Sequence, residues 1–236
     1  MNHGEIHIPA DQRTLTAELV VPDDATGLVV FAHRSRTSRL NPRNRAISEI
    51  IRAAGIGTLL VDLLMPEEAA LDAVTAELRF DIGFLAWRLL TATDWLREQE
   101  PGLPIGYFAS GGTGAAAALL ATAEAHGTIG ALVARGGRPD LAGESLSQVR
   151  AATLLIVGAL DKPLIQASEA AYQALECEKQ LTVIPSASRS FEEPGTLDQV
   201  TRLAADWFER HLSKTSIDMP ALHFQHRRQL GPRAPS

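Results

Sequence analysis

The segment IGYFASGGTGA at residues 105–115 is the most informative part of this chain. Residues 105–108 form a short apolar run, which is typical of a buried strand, and alanines dominate the segment after Gly114, which favours a helix. Between them lie Gly111 and Gly112, and glycine adopts the backbone conformations of a tight turn without a steric penalty. The stretch therefore predicts a strand that turns sharply into a helix.

Short apolar runs of the same kind recur along the chain, at residues 28–32, 58–62, 129–134, 154–157 and 181–184. Helix-length segments alternate with them, at about 42–54, 80–99, 113–125, 165–175 and 196–212. This alternation predicts an α/β fold in which helices cover both faces of a mostly parallel sheet. Two further runs, 5–8 and 15–21, are expected to enter the sheet as an antiparallel pair, which brings the sheet to about eight strands.

The predicted helix over residues 80–99 carries large side chains near the helical period. Phe84, Trp87, Leu90 and Trp95 recur at spacings close to 3.6 residues. A packed inner face is the usual meaning of such a stripe. We therefore expect these four side chains to be buried against the sheet.

Length and composition predict one domain followed by a tail. The chain has 236 residues, of which 45% are hydrophobic, and this is enough for one sizeable core. We expect a single domain over residues 1–212 and a C-terminal tail over 213–236, where the periodicity is lost. Docking of the tail on its own domain, on a second copy or on another partner remains open.

Charge, cysteine content and motifs exclude several classes of function. The net charge of −6 argues against a nucleic-acid-binding surface. The single cysteine excludes an internal disulfide framework, and the first residues lack the pattern of a signal peptide, so we expect a cytoplasmic protein. No apolar run reaches the length of a membrane span. We expect no cofactor and no metal, because the chain has no Walker loop, dinucleotide fingerprint or Cys/His cluster.

Several segments resemble a bacterial family of α/β-hydrolases close to the dienelactone hydrolases. They are VFAH at 30–33, GTLLVDLL at 57–64, LRFDI at 78–82, LPIGYF at 103–108, RGGRPDLAG at 135–143 and FEEPG at 191–195. The resemblance spans roughly residues 27–212 and implies the α/β-hydrolase fold. It also implies a serine nucleophile on a sharp elbow, an aspartate after a later strand, a histidine on the last loop and an oxyanion hole. It says little about substrate, because one fold hosts many chemistries.

The elbow of this chain fits the family motif in two ways. The better window is centred on Gly112, which has no side chain that could attack a substrate, and it places Thr113 next to the ligand. The alternative is centred on Ser110 and places Phe108 where only a small residue lets the backbones pass. That alternative requires the strand to end early or to bulge.

The other expected positions also depart from the resemblance, with one exception. Arg189 stands where the histidine is expected, immediately before the segment at 191–195. The loop after the strand at 28–32 carries Arg34 and Arg36 where the family has glycines. Only Asp161 stands as expected. Arginine stays protonated at physiological pH and cannot serve as the general base, so a working Ser110 needs a relocated base, for which His33 is the nearest candidate.

These departures lead to two hypotheses. In the first, the chain has lost the serine and histidine of the triad, at Gly112 and Arg189, and binds or transforms a small organic anion held by Arg34, Arg36 and Arg189. In the second, the chain is an active carboxylesterase or lactonase that uses Ser110 with Asp161 and His33. A third class, a subunit that binds a partner through its tail, is left open.

Overall fold

The computed structural model describes residues 2–33 and 40–212, and a single eight-stranded sheet organises them. The strand order is β1-β2-β4-β3-β5-β6-β7-β8. Strands β1 and β2 pair in antiparallel fashion, β2 runs antiparallel to β4, and all other neighbours are parallel. The strands are β1 Asn2–Ala10, β2 Arg13–Val21, β3 Gly27–His33, β4 Ile56–Asp62, β5 Ile105–Ser110, β6 Ile129–Arg135, β7 Ala152–Gly158 and β8 Lys179–Ile184. The predicted α/β-hydrolase fold class is confirmed.

Helices cover both faces of the sheet. Those in the described ranges are α1 Pro42–Ala53, α2 Pro66–Thr75, α3 Ile82–Gln99, α4 Gly114–Glu124, α5 Lys162–Ala174 and α6 Thr196–His211, with 3₁₀ turns at Leu78–Phe80 and Pro139–Gln148. Helices α3, α4 and α5 contribute to the core on one face, and α1 and α6 contribute to the core on the other. The sequence did not predict α2, because only Asp72 of this helix is buried and an apolar period is absent. None of these helices is both long and apolar enough to span a bilayer.

Helix α3 buries a different face from the one predicted. Its buried residues are Leu85, Ala86, Arg88, Leu89, Ala92, Thr93 and Leu96, whereas Trp87 is exposed and Phe84, Leu90 and Trp95 are only partly buried. Small and aliphatic side chains let α3 lie close to the sheet, where the Thr93 hydroxyl is 2.8 Å from the Tyr107 hydroxyl. The aromatic rings lie at the margin of that contact.

Strand β5 runs through the middle of the sheet and separates the two cores. Its side chains alternate, so that Tyr107 and Ala109 belong to the core under α3 and α4 while Phe108 belongs to the core under α1 and α6. A Cβ on Gly106 would lie 3.0 Å from the Phe208 ring of α6. By the same alternation, Ser110 lies on the face that α1 and α6 cover.

Candidate ligand site at the carboxyl ends of the strands

The turn between β5 and α4 carries two consecutive glycines in the left-handed region. Gly111 has a φ of 67° and Gly112 a φ of 46°, and α4 begins two residues later at Gly114. Hydrogen bonds to β6 and to the loop after it hold this turn: the Gly111 N–H donates to the Arg135 carbonyl at 3.2 Å, and the Arg138 N–H donates to the Gly112 carbonyl at 2.8 Å. The tip of the turn is therefore ordered backbone without a side chain.

The loop after β6 and the turn at Leu78–Phe80 pack directly against this elbow. A Cβ on Gly137, whose φ is 88°, would lie 2.8 Å from the Gly112 carbonyl oxygen, so only glycine fits there. The Thr113 hydroxyl donates a hydrogen bond to the Arg79 carbonyl. Thr113 was predicted to contact a ligand, and in the structure its side-chain donor is already engaged with the protein.

Ser110 is the last residue of β5 and is only 2% exposed. Its register partner on β6 is Arg135, and neighbouring residues in a parallel pair point to the same face of the sheet. Arginine cannot accept the serine proton. His33 ends β3, which pairs with β5 as far as Ala32 and Ala109, and its side chain lies outside the described residues.

Asp161 follows β7 and binds Arg189 rather than a histidine. The Arg189 Nε donates to the Asp161 Oδ2 at 2.7 Å, and the Leu164 N–H donates to the Asp161 Oδ1 at 3.2 Å, which caps α5. The hydrogen bond from Arg189 lowers the pKa of the Asp161 carboxyl, against the opposing effect of burial. The pairing likewise raises the pKa of Arg189. Asp161 is 9% exposed and Arg189 is 66% exposed, so water reaches the arginine.

Arg135 has the least satisfied charge of this region, and sequence analysis did not assign it to the site. It ends β6, its Nη1 is sealed from solvent, and that atom has no hydrogen-bond partner among the described residues. Burial, together with the charge of Arg43, lowers the pKa of Arg135 to about 10. Its guanidinium carbon lies 5.7 Å from the centre of the Phe191 ring. One sequence signal could have identified Arg135: it ends an apolar strand directly before two glycines.

Arg43 and the loop before α6 complete the surroundings. The Arg43 Nη2 lies 2.7 Å from the Glu192 Oε1, and both side chains are substantially exposed. Phe191 is buried although its φ is 53°, a conformation that is strained for a residue with a large side chain. Arg34 and Arg36, the remaining predicted ligand contacts, lie outside the described residues.

No metal cluster is present in the parts of the chain that the structure covers: residues 2–33 and 40–212 contain no group of three or more His, Cys, Asp or Glu side chains placed to hold an ion. The donors that this arrangement brings together are guanidinium groups, one serine hydroxyl and backbone amides. Such donors recognise oxyanions.

The fold and the sequence are both similar to those of known hydrolases. A dienelactone hydrolase from Anabaena variabilis is 48% identical and superimposes with a TM-score of 0.86, covering 89% of this chain and 98% of that one. The Est1E protein from Butyrivibrio proteoclasticus is 15% identical with a TM-score of 0.73, covering 88% of this chain and 98% of its own, which shows the shared fold alone.

Curated relatives from two strains of Mycobacterium tuberculosis carry a different name. Each is provisionally named a phosphoribosyl transferase and is 47% identical over 210 residues, which is 88% of this chain and 46% of the relative. The chain thus spans about half the length of the curated relatives it matches. No family model matches the chain.

Proposed function

Because the chain belongs to the dienelactone hydrolase family of α/β-hydrolase-fold proteins, we propose that it binds a small organic anion at the carboxyl ends of its strands without hydrolysing it. The observation that carries the proposal is the ion pair between Arg189 and Asp161, at 2.7 Å. In a hydrolytic triad the aspartate orients a histidine, and the histidine takes the proton of the nucleophile. An arginine in that place holds its own proton and leaves the site without this base.

The elbow supports the same proposal. A nucleophile at the elbow is normally held in a strained conformation, with a cost on the order of 1–3 kcal/mol for a residue that has a side chain. The two left-handed positions here are Gly111 and Gly112, which adopt this backbone with little strain. Relief of that strain is compatible with a site that no longer needs a nucleophile.

The second candidate function is a carboxylesterase or lactonase that uses Ser110. It is retained because Ser110 adjoins the elbow and Asp161 follows β7 at the same edge of the sheet. It requires a base outside the expected position, for which His33 is the candidate. Its nucleophile would also lie on the face that α1 and α6 cover, next to the charge of Arg135.

The phosphoribosyl transferase name of the mycobacterial relatives gives a weaker argument. The match to those proteins covers 46% of their length, so their name can derive from the part that this chain does not match. The matched part has the fold of a hydrolase. We therefore do not propose phosphoribosyl transfer for this chain.

The two candidate functions differ in whether an acyl-enzyme forms. The test is hydrolysis of short-chain p-nitrophenyl esters and intact-mass detection after reaction with a fluorophosphonate probe, on the wild type beside Ser110→Ala. The exposed Ser147, in the 3₁₀ turn Pro139–Gln148, provides the matched control Ser147→Ala. We expect no turnover and no adduct in any of the three proteins. Turnover and labelling that vanish only in Ser110→Ala would overturn the proposal and establish the esterase.

A further inference from the structure

The strongest unexplained feature of the molecule is the guanidinium of Arg135. It ends β6 between Ser110 of β5 and Ile156 of β7, and by strand alternation it lies on the face covered by α1 and α6. Within the described part of the chain it forms no ion pair, and its Nη1 has no hydrogen-bond partner. A charged donor atom that is sealed from water without a partner is unfavourable. An oxyanion that entered this position would relieve that penalty.

Arg88 shows how a carboxylate balances a buried arginine elsewhere in the fold, although its Nε and Nη1, like the Nη1 of Arg135, are sealed from solvent without a hydrogen-bond partner in the part of the chain that the structure covers. Arg88 of α3 is 4% exposed, and its Nη2 lies 2.8 Å from the Glu68 Oε1. Its guanidinium also lies over the rings of Phe84 and Trp87, at 4.8 Å and 5.1 Å from their centres. Arg135 has the aromatic neighbour, Phe191, but no carboxylate. The two arginines therefore differ in that Arg88 has an anionic partner and Arg135 has none among the described residues.

The groups around Arg135 suit an anionic ligand. Ser110 lies opposite it on the adjacent strand and can donate its hydroxyl, because strands are about 4.8 Å apart and register partners share a face. Arg43 is near enough for its charge to lower the pKa of Arg135, but Glu192 balances Arg43 at 2.7 Å. The loop that carries Phe191 is braced by the Ser188 N–H, which donates to the Glu193 Oε2 at 3.0 Å.

We propose that Arg135 is the principal contact of an oxyanion site, in which its guanidinium binds the carboxylate or phosphate group of a small ligand, with the Ser110 hydroxyl as a second donor. The proposal deepens the proposed function and rests on it for the class of ligand. It moves the centre of the anion site away from Arg189, whose charge Asp161 already balances. It also makes Ser110 a binding residue rather than a nucleophile.

The test is calorimetric titration of the full chain with two probes, sodium benzoate for a carboxylate and inorganic phosphate for a phosphate, with sodium chloride as the ionic-strength control. Arg135→Met removes the charge at similar volume, and we expect the Kd for the probe that binds the wild type to rise about tenfold to a hundredfold. Arg135→Lys keeps a charge but loses the paired donors, and we expect an intermediate Kd. Arg88→Met is the matched control, and we expect it to bind as the wild type does; Arg189→Met tests the alternative in which Arg189 is the principal contact, and we expect it to weaken binding less than Arg135→Met does.

Thermal unfolding separates loss of the site from loss of the fold. Without a probe, Arg135→Met should unfold at the same temperature as the wild type or above it, because an unpaired buried cation is removed. Arg88→Met should unfold at a lower temperature, because Glu68 loses its closer ion-pair partner and keeps only Arg13, at 3.7 Å, as a cationic neighbour among the described residues. The inference is wrong if neither probe binds the wild type, if Arg135→Met binds with unchanged Kd, or if Arg189→Met alone abolishes binding.

The inference and the proposed function can fail separately. Labelling of Ser110 by the fluorophosphonate, together with loss of benzoate binding in Arg135→Met, would disprove the proposed function and keep Arg135 as the contact for an anionic substrate. Absence of labelling together with unchanged binding in Arg135→Met would disprove the inference and leave the proposed function standing.

Discussion

Asp161 and Arg189 illustrate how one side chain changes the chemistry of another. The pKa of Asp161 is lowered in the folded protein, mainly by the hydrogen bond from Arg189. A carboxyl whose pKa is lower when folded contributes stability above its unfolded pKa and loses that contribution as the pH falls through its folded pKa. Because Arg189 is 66% exposed, the contribution is about 1 kcal/mol or less.

This gives a prediction for Arg189→Gln. The pKa of Asp161 should rise toward its ordinary value, and the variant should lose less stability than the wild type on acidification from about pH 6 to pH 3. A carboxyl NMR titration measures the pKa, and urea unfolding at the two pH values measures the stability. Arg202→Gln, at an exposed position of α6, is the control and should change neither. An unchanged Asp161 pKa in Arg189→Gln would contradict the ion pair.

The backbone conformation of the elbow also depends on single residues, its glycines. A Cβ on Gly111 would meet nothing within 4 Å, but Gly111 has a φ of 67°. Gly111→Ala should therefore lower the free energy of unfolding by about 1–2 kcal/mol, through backbone strain alone. Gly83 lies in the first turn of α3, and a Cβ on it would be in ordinary contact with the Asp81 Oδ1, at 3.6 Å. Gly83→Ala should therefore raise the free energy of unfolding by about 0.4–1 kcal/mol. Urea unfolding of both variants checks the contrast. Equal effects at the two positions would argue against a left-handed Gly111.

Among the helices, α2 supports the elbow without touching its tip. Asp72 of α2 is buried, and its carboxylate accepts from the Arg79 N–H at 2.9 Å and from the Arg79 Nε at 2.7 Å. Burial raises the pKa of Asp72, but the hydrogen bonds from Arg79 outweigh it and hold the pKa low. The carbonyl of Arg79 then accepts from the Thr113 hydroxyl at the start of α4. Helix α2 is thereby tied to the element that carries the elbow.

This tie predicts a large effect of Asp72→Ala. The substitution leaves two donors of Arg79 without their partner, and we expect a loss of about 1–3 kcal/mol in the free energy of unfolding. Asp94→Ala removes a carboxylate that is 71% exposed and lies 3.3 Å from Arg97, and we expect a change below about 1 kcal/mol. Chemical unfolding compares the two. If Asp72→Ala lowers the free energy of unfolding no more than Asp94→Ala does, α2 does not stabilise the elbow.

At the level of the whole molecule, we propose that the domain ends at residue 212, and burial at the end of α6 supports this boundary. Trp207, Phe208 and Leu212 at the end of α6 are buried in the core against the sheet, and the Trp207 Nε1 donates to the Ala152 carbonyl at 3.1 Å. A chain truncated after residue 212 retains all of these contacts. A chain truncated after residue 206 loses them.

We therefore expect residues 1–212 to unfold cooperatively within a few degrees of the full chain, and residues 1–206 to fail to fold. Circular dichroism during heating measures both. The oligomeric mass of the full chain beside residues 1–212 tests whether the tail at 213–236 binds a second copy. Fewer subunits in the shorter chain would support self-association through the tail, and an equal number of subunits would contradict it.

The architecture was predictable from the sequence because it depends on local patterns. Alternating apolar runs and helix-length segments specify a parallel sheet covered on both faces, and the runs at 5–8 and 15–21 specify the antiparallel edge. Helix α2 and the buried face of α3 were not predictable in this way. Asp72 is the only buried residue of α2, and α3 is held by small residues whose burial depends on the neighbouring sheet.

The α/β fold, the family resemblance and the glycine turn after β5 follow from the sequence alone, because each depends on a contiguous stretch of residues. Only the folded chain shows that Arg189 binds Asp161, 28 positions away, and that Arg135 lies beside Ser110 on the adjacent strand without a carboxylate among the described residues. Charge pairing depends on distances of a few ångströms between segments that the chain separates widely. Such distances are set by strand order and register, which no local pattern contains.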